Sequence, residues 1–379
     1  MQNNSTGVYI HFPYCEKKCP YCDFNSHTIK DIPQEAFTKA YIEDFNYHAS
    51  LLKVKPDIQT IFFGGGTPSL MNPSTAEIII SHICKTFGIQ KEALEITLEA
   101  NPSSFEVAKF EDFKAAGVNR ISIGVQSFIE DDLKKLGRVH NSTQAINAIN
   151  SAKEIFEKVS FDLIYARENQ SIKEWRNELE LALKTFNPSH ISLYSLTIEK
   201  GTKFFTLHQQ GKLTIPKNQD DFYETTNEIC SKHGLERYEI SNYAKPHYEC
   251  QHNILYWNGG QYIGIGPGAH GRINTTNGRI ATMNFNAPEK YLKSIKENGN
   301  AMQAFEALTD EKLAWEFIST GLRTIFGFEV NSITERFLDT AKLKTLESEG
   351  LLTQTPTHIV PTQKGLSLCD AITKFIFKV

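Results

Sequence analysis

Residues 7–26 read GVYIHFPYCEKKCPYCDFNS and place Cys15, Cys19 and Cys22 in a C-x3-C-x2-C spacing just after a short β-branched and aromatic run. Three thiols this close point to one metal centre. Pro20, between the second and third cysteines, has no N–H and would disrupt a regular helix. The cysteines are therefore expected on a loop leaving a strand, where backbone can wrap a metal.

Counting ligands narrows the metal. Structural zinc takes four closed protein ligands, commonly in paired Cys or Cys/His sets. The other cysteines, Cys84, Cys230, Cys250 and Cys369, show no such pairing. A [4Fe-4S] cluster is held by thiolates, normally four, so three would leave one iron open to a small molecule. A zinc site completed by Asp23 or a distant histidine, or plain core cysteines, are the alternatives.

At these residues the chain resembles the radical S-adenosylmethionine (SAM) superfamily, whose signature is this spacing with an aromatic residue, here Tyr21, before the third cysteine. YIHFPYC and CPYCDF are similar to the HemN-like branch, which contains oxygen-independent coproporphyrinogen III oxidases and heme chaperones of the HemW type. The resemblance implies a [4Fe-4S] cluster on Cys15, Cys19 and Cys22 with SAM chelating the open iron. It also implies an electron donor for the cluster.

At 379 residues, the chain has room for a large domain and a smaller one, at roughly 150 residues per domain. Forty basic and 44 acidic residues give a net charge of −4 with no block of one sign, which argues against a nucleic-acid or anionic-membrane partner. No run approaches a membrane span and no signal segment opens the sequence, so a cytoplasmic location is expected. Seven unevenly spread cysteines argue against a disulfide framework. Cys84, Cys230 and Cys369 read as small apolar residues on helices.

Strands are expected at 7–12, 60–63, 94–98, 120–125, 161–165 and 190–196. Helical spacing fills 34–52, 74–87, 105–115, 142–156 and 172–185. This alternation predicts a parallel α/β layer, open or barrel-like, and the resemblance implies a partial (β/α)6 TIM-like barrel. Three regions are expected: a core over 1–235, a connecting region over 236–300 and a C-terminal domain over 301–379. In the last, 308–326 is an amphipathic helical segment, and 328–379 reads as helix, helix, a hairpin near 351–361 and a final helix capped by Thr362, a mainly helical, winged-helix-like pattern.

In such layers ligands gather at the carboxyl ends of strands. There the sequence puts the cysteine loop, Gly64–Thr67, Glu99–Pro102, Gln126 and Ser127. GGGTP is not a phosphate loop, because no Gly-Lys-Ser/Thr follows; three glycines instead let backbone approach a ligand closely. The resemblance implies that Tyr9, Gly65 and Glu99 contact cluster-bound SAM, and that Tyr21, Gly66, Thr67, Gln126, Arg138 and Asp162 line a second SAM site. The chain departs from the family after Asp162: Ala166, Arg167, Glu168, Asn169 and Gln170 stand where Gly-Leu-Pro-x-Gln is usual, which puts the second site in question.

GIGPGAHG (264–271) lacks the βαβ context of a dinucleotide fingerprint and reads as a tight turn. The preceding HNILYW (252–257) matches a pattern typical of HemW-type heme chaperones. A neutral His252 could ligate heme iron and the aromatics could cover a porphyrin face; a histidine and tryptophan packed at a seam is the other reading. Two functions follow from the resemblance. One is a heme chaperone that passes heme to an acceptor protein, with a second copy of the chain as a candidate partner. The other is a radical coproporphyrinogen dehydrogenase. HNILYW, Phe24 at the position of the oxidase's additional cysteine and the first strand's nearness to the start favour the chaperone.

Overall fold

In the computed structural model, which describes residues 4–378, six parallel strands stand side by side in chain order. They are β1 (Ser5–Phe12), β2 (Asp57–Gly65), β3 (Glu95–Ala100), β4 (Arg120–Gln126), β5 (Lys158–Tyr165) and β6 (His190–Ser195). Helices Gln34–Ser50, Pro73–Phe87, Phe110–Ala116, Ser142–Ile155 and Ile172–Phe186 connect them. The alternation read from the sequence is the observed α/β layer. The helix expected at 105–115 is split, because Ser103 caps a separate turn at Ser104–Val107.

Period-two alternation divides this layer into two unlike faces. Val8, Ile10, Ile61, Leu98, Ile123 and Phe161 are buried in the apolar core on one side. The opposite face carries Tyr9, Phe62, Glu99, Ser122, Asp162 and Tyr194. Strands of a parallel sheet are usually apolar on both faces. A polar and aromatic face therefore marks where a ligand, rather than a second core, belongs.

The sheet continues past the predicted strands on both sides. β7 (Glu236–Arg237) pairs antiparallel with β8 (Asn242–Ala244), which runs antiparallel to β6. β9 (Gln261–Ile265) lies parallel to β1, with Thr6 opposite Gln261 and Ile10 opposite Ile265. β10 (His270–Thr275), β11 (Gly278–Asn284) and β12 (Met302–Ala307) follow in antiparallel order. Twelve strands form this sheet among the described residues. GIGPGAHG makes the tight turn between β9 and β10, with Gly266 and Gly268 at φ of 99° and 76°.

A second apolar core gathers Ala314, Ile318, Leu346, Ile372 and Phe377 around a three-stranded sheet of β13 (Phe328–Glu329), β14 (Leu352–Gln354) and β15 (His358–Pro361), with β15 in the middle. The hairpin lies where the sequence places it, but Thr362 caps a separate short turn at Gln363–Leu366, and the last helix, Cys369–Ile376, starts after Leu368 with no side-chain cap. The first helix expected after 328 is instead β13 followed by a 3-10 turn at Thr334–Phe337. Asn331 is the reason: its side chain accepts from the Ile333 and Thr334 N–H groups and closes an Asx turn. All seven cysteines are free. No helix among the described residues is long and apolar enough to cross a membrane.

Candidate functional site

The chain leaves β1 into a loop closed at its base by pairing of Tyr14–Cys15 with His27–Thr28. The Cys22 N–H donates to the Cys19 carbonyl at 3.2 Å, a turn that keeps these two cysteines together. Burial raises the pKa of the Cys15 and Cys22 thiols, and neighbouring thiols raise both further. Among the described residues no three His, Cys, Asp or Glu side chains converge on a single-ion site, and Asp23 is exposed. Three thiols are the donor set that a [4Fe-4S] cluster takes, each thiolate on a different iron.

Groups from three strand ends reach the loop. Thr67 donates its hydroxyl to the Cys15 sulfur at 3.4 Å and accepts from Asn101 Nδ2 at 3.0 Å. Arg138 places Nη1 at 3.6 Å from the Cys19 sulfur and donates through Nη2 to Asn101 Oδ1 and the Gly124 carbonyl, both at 2.6 Å. Asn101 thus couples the GGGTP loop to Arg138. Tyr21 packs on Phe204 with ring centroids 6.3 Å apart. Gln126 closes β4 at φ 70°, and its amide borders Gly124 beside Arg138.

A relay fixes the loop from the other side. Neutral His11, its pKa lowered by burial, donates from Nε2 to the Asn25 carbonyl at 2.8 Å and accepts at Nδ1 from the Tyr9 hydroxyl at 3.0 Å. This tautomer follows from the partners, since a carbonyl can only accept. The Asn25 amide then donates to the Pro267 and Asn286 carbonyls, each at 2.9 Å. The cysteine loop is therefore clamped to the turn between β9 and β10.

The glycines are dictated by crowding. Gly65 sits at φ 109°, and a Cβ there would lie 2.6 Å from the His11 ring; at Gly66 it would lie 2.6 Å from the Tyr14 carbonyl oxygen. The Gly65 N–H donates to Glu99 Oε2 at 3.3 Å. Burial, then the charge of Asp162, raises the Glu99 pKa to about 8 against that hydrogen bond. Burial also raises Asp162 to about 6, offset by the Ser192 and Ser122 hydroxyls and by Arg138. Two carboxylates held near neutrality in a recess suit a ligand that brings positive charge.

At Ala166–Gln170 the turn is left-handed at two residues without a glycine: Ala166 adopts φ 55° and Asn169 φ 59°. Arg167 compensates by burial in an ion-pair network. It binds Glu178, bridges to Asp132 at 3.0 Å and donates to the Ile164 carbonyl at 2.8 Å. Glu178 also accepts from Ser127 Oγ and the Phe128 N–H. The departure from the family pattern is thus filled by a structural pair.

His252 lies away from the cysteine loop, on the Gln251–Trp257 helix that covers the N-terminal half of the sheet's polar face. Its Nδ1 meets Thr60 Oγ1 at 2.7 Å, and the ring stacks 5.0 Å from Phe62 and meets Tyr256, tilted by 54°, at 4.6 Å. Nε2 is buried without a partner. Burial lowers its pKa to about 3, so the imidazole is neutral. His11 and Asn25 escaped the sequence reading: His11 alternates with Tyr9 and could have been found by period, but Asn25 bonds to partners 242 and 261 positions away.

The chain has relatives that match this geometry. Residues 9–182 match the radical SAM superfamily. The chain is 34% identical over 375 residues to the heme chaperone HemW of Bacillus subtilis, covering 97% of each protein. It is 40% identical over 279 residues to the heme chaperone HemW of Escherichia coli, 72% of each. It is also 36% identical over 421 residues to the mitochondrial radical S-adenosyl methionine domain-containing protein 1 of Dictyostelium discoideum, covering 98% of this chain and 94% of that one. In fold it resembles the radical SAM enzyme coproporphyrinogen III oxidase (HemN) from E. coli, with a TM-score of 0.79 at 22% identity over 97% of this chain and 89% of that one. A half-buried cysteine trio at a strand end, backed by a glycine loop, and similarity over nearly the full length place the chain in one family: it belongs to the HemN-like branch of the radical SAM superfamily, close to HemW.

Proposed function

We propose that this chain is a heme chaperone: it binds heme and a [4Fe-4S] cluster with exchangeable SAM, and transfers heme to an acceptor protein. The observation that carries the reading is the similarity to HemW proteins across nearly the whole chain, joined to a buried, neutral imidazole at His252 whose Nε2 has no partner. Cys15, Cys19 and Cys22 would hold the cluster, and Tyr9, Gly65 and Glu99 would contact the SAM on it. Such a cluster, when bound, supplies one electron to the sulfonium of SAM, and a donor must replace it. Tyr21, Gly66, Thr67, Gln126, Arg138 and Asp162 line a second SAM position, with Arg138 suited to a carboxylate. A second copy of the chain is a further proposed partner.

His252 would ligate heme iron through Nε2 while Thr60 holds Nδ1. Tyr256 packs against the ring and must swing aside for iron to reach it. The second reading, an oxygen-independent coproporphyrinogen III oxidase, is favoured by the fold shared with HemN. An anaerobic assay with reconstituted cluster, reductant, SAM and coproporphyrinogen III separates the two. The chaperone should bind heme stoichiometrically and form neither protoporphyrinogen nor carbon dioxide. Formation of both would overturn it in favour of the oxidase.

A further inference from the structure

A cavity of about 460 Å³ opens on the polar face of the sheet, between β6 and β8 on one side and β9 and β10 on the other. Tyr194, Tyr256 and Trp257 give it aromatic walls. Tyr194 stands on an interior strand yet keeps 42% exposure, because its ring faces this space. Burial, then the charges of Asp162, Glu239 and Glu99, raises its hydroxyl pKa, and Asp162 lies on the neighbouring strand, opposite Ser192.

Three guanidinium groups and two carboxylates also line it: Arg272, Arg279 and Arg323 against Glu239 and Glu316. Arg272 and Glu316 cancel, bound at 2.7 to 3.0 Å through two nitrogens. Glu239 is occupied by Asn242 and the Ser241 N–H, and burial raises its pKa. Arg279 donates to the Gly259 and Gly260 carbonyls, both at 2.8 Å, while its Nε is buried without a partner. Among the described residues the Arg323 guanidinium bonds to exposed Asp370, and it stands 5.9 Å from the Trp257 ring centroid. A guanidinium has five N–H donors. Both arginines are thus held in place with donors to spare, beside flat aromatic surfaces.

We propose that this cavity is the tetrapyrrole site, in which Arg323 and Arg279 bind the carboxylate side chains at one edge of the macrocycle and Trp257 lies against its face. Planar ligands with apolar faces and anionic edges are the class that this lining recognises. The assignment rests on the heme-binding reading and adds the groups that select the ligand. It also explains the place of Tyr256, which forms part of the cavity wall and covers His252, so a macrocycle seated here lies one aromatic ring away from the imidazole.

The test is titration of wild type, Arg323→Gln, Arg323→Lys and Arg279→Gln with hemin and with hemin dimethyl ester, whose side chains carry no charge, following the Soret band. Arg323 pairs with an exposed acid, Asp370, so its variants should melt as wild type does. Wild type should bind hemin roughly tenfold or more tightly than the ester, the discrimination expected for charge-assisted pairing. Arg323→Gln should lose that preference with unchanged ester affinity, Arg323→Lys should keep most of it, and Arg279→Gln should weaken hemin more than ester. Equal hemin binding by wild type and Arg323→Gln, or equal binding of hemin and ester by wild type, overturns the arginine assignment while heme binding itself stands. Wild type binding neither ligand overturns both.

Discussion

The Arg138 guanidinium lies 3.6 Å from the Cys19 sulfur, and its other terminal nitrogen lies 2.6 Å from Asn101 Oδ1. A fixed positive charge beside a thiolate favours the reduced, more negative state of whatever metal group that thiolate holds. Unit charges 4 Å apart interact by about 1 kcal/mol even in bulk water. Arg138→Gln should therefore lower the cluster's midpoint potential by on the order of tens of millivolts, with its absorbance retained. Potentiometric titration measures this directly, and an unmoved potential would show that the contact is steric only.

Asn25 offers a second handle on the same loop. Asn25→Asp would turn carboxylate oxygens toward the Pro267 and Asn286 carbonyls that the amide now serves, replacing two hydrogen bonds by repulsion. The expected result is a fully folded chain that loses iron to a chelator several-fold faster than wild type. Equal rates of bleaching would mean that the clamp does not hold the cluster.

Glu99 gives the protein a pH signature. Its folded-state pKa of about 8 stands above the usual 4.5, so the folded chain keeps a proton that the unfolded chain releases. The stability linked to this group is fully present below pH 4.5 and is lost as the pH rises through 8; Asp162, raised to about 6, adds to the lower part of that window. Glu99→Gln should flatten the fall in urea midpoint across it. SAM should bind wild type more tightly at the upper end, where the carboxylates are free to meet its positive groups, and a pH-independent affinity would remove Glu99 from the site.

Arg167 is a structural rather than a ligand-binding arginine. Arg167→Met strands buried Glu178 and should cost about 3–5 kcal/mol in urea unfolding, whereas adding Glu178→Met should restore much of the loss. A single variant as stable as wild type would show that the pair only fills space.

These residues show what a one-dimensional reading can reach. The six parallel strands were legible because each carries its own apolar run, and the rim residues follow from where those runs stop. Thr67, Arg138 and the cysteines lie together because they end or follow neighbouring strands. β9 to β12 were not legible: GQYIGIG and HGRINT are short, glycine-rich and polar, and they become strands only because β1 offers an edge. The three cavity arginines come from β10, β11 and the segment after the Asp310–Gly321 helix, with no local motif to announce them. The sealed position of His252 likewise depends on Phe62 and Thr60, nearly two hundred positions earlier.

β1 is flanked by β2 on one side and by β9 on the other. The strand that launches the iron-binding loop thus owes one whole side of its ladder to residues more than 250 positions downstream. A fragment ending near residue 235 would contain every cysteine of the trio, yet it would bare that ladder to any passing strand, its own twin included. Such a fragment should self-associate even where its metal chemistry survives, so the iron half of this molecule cannot be cut free without becoming adhesive.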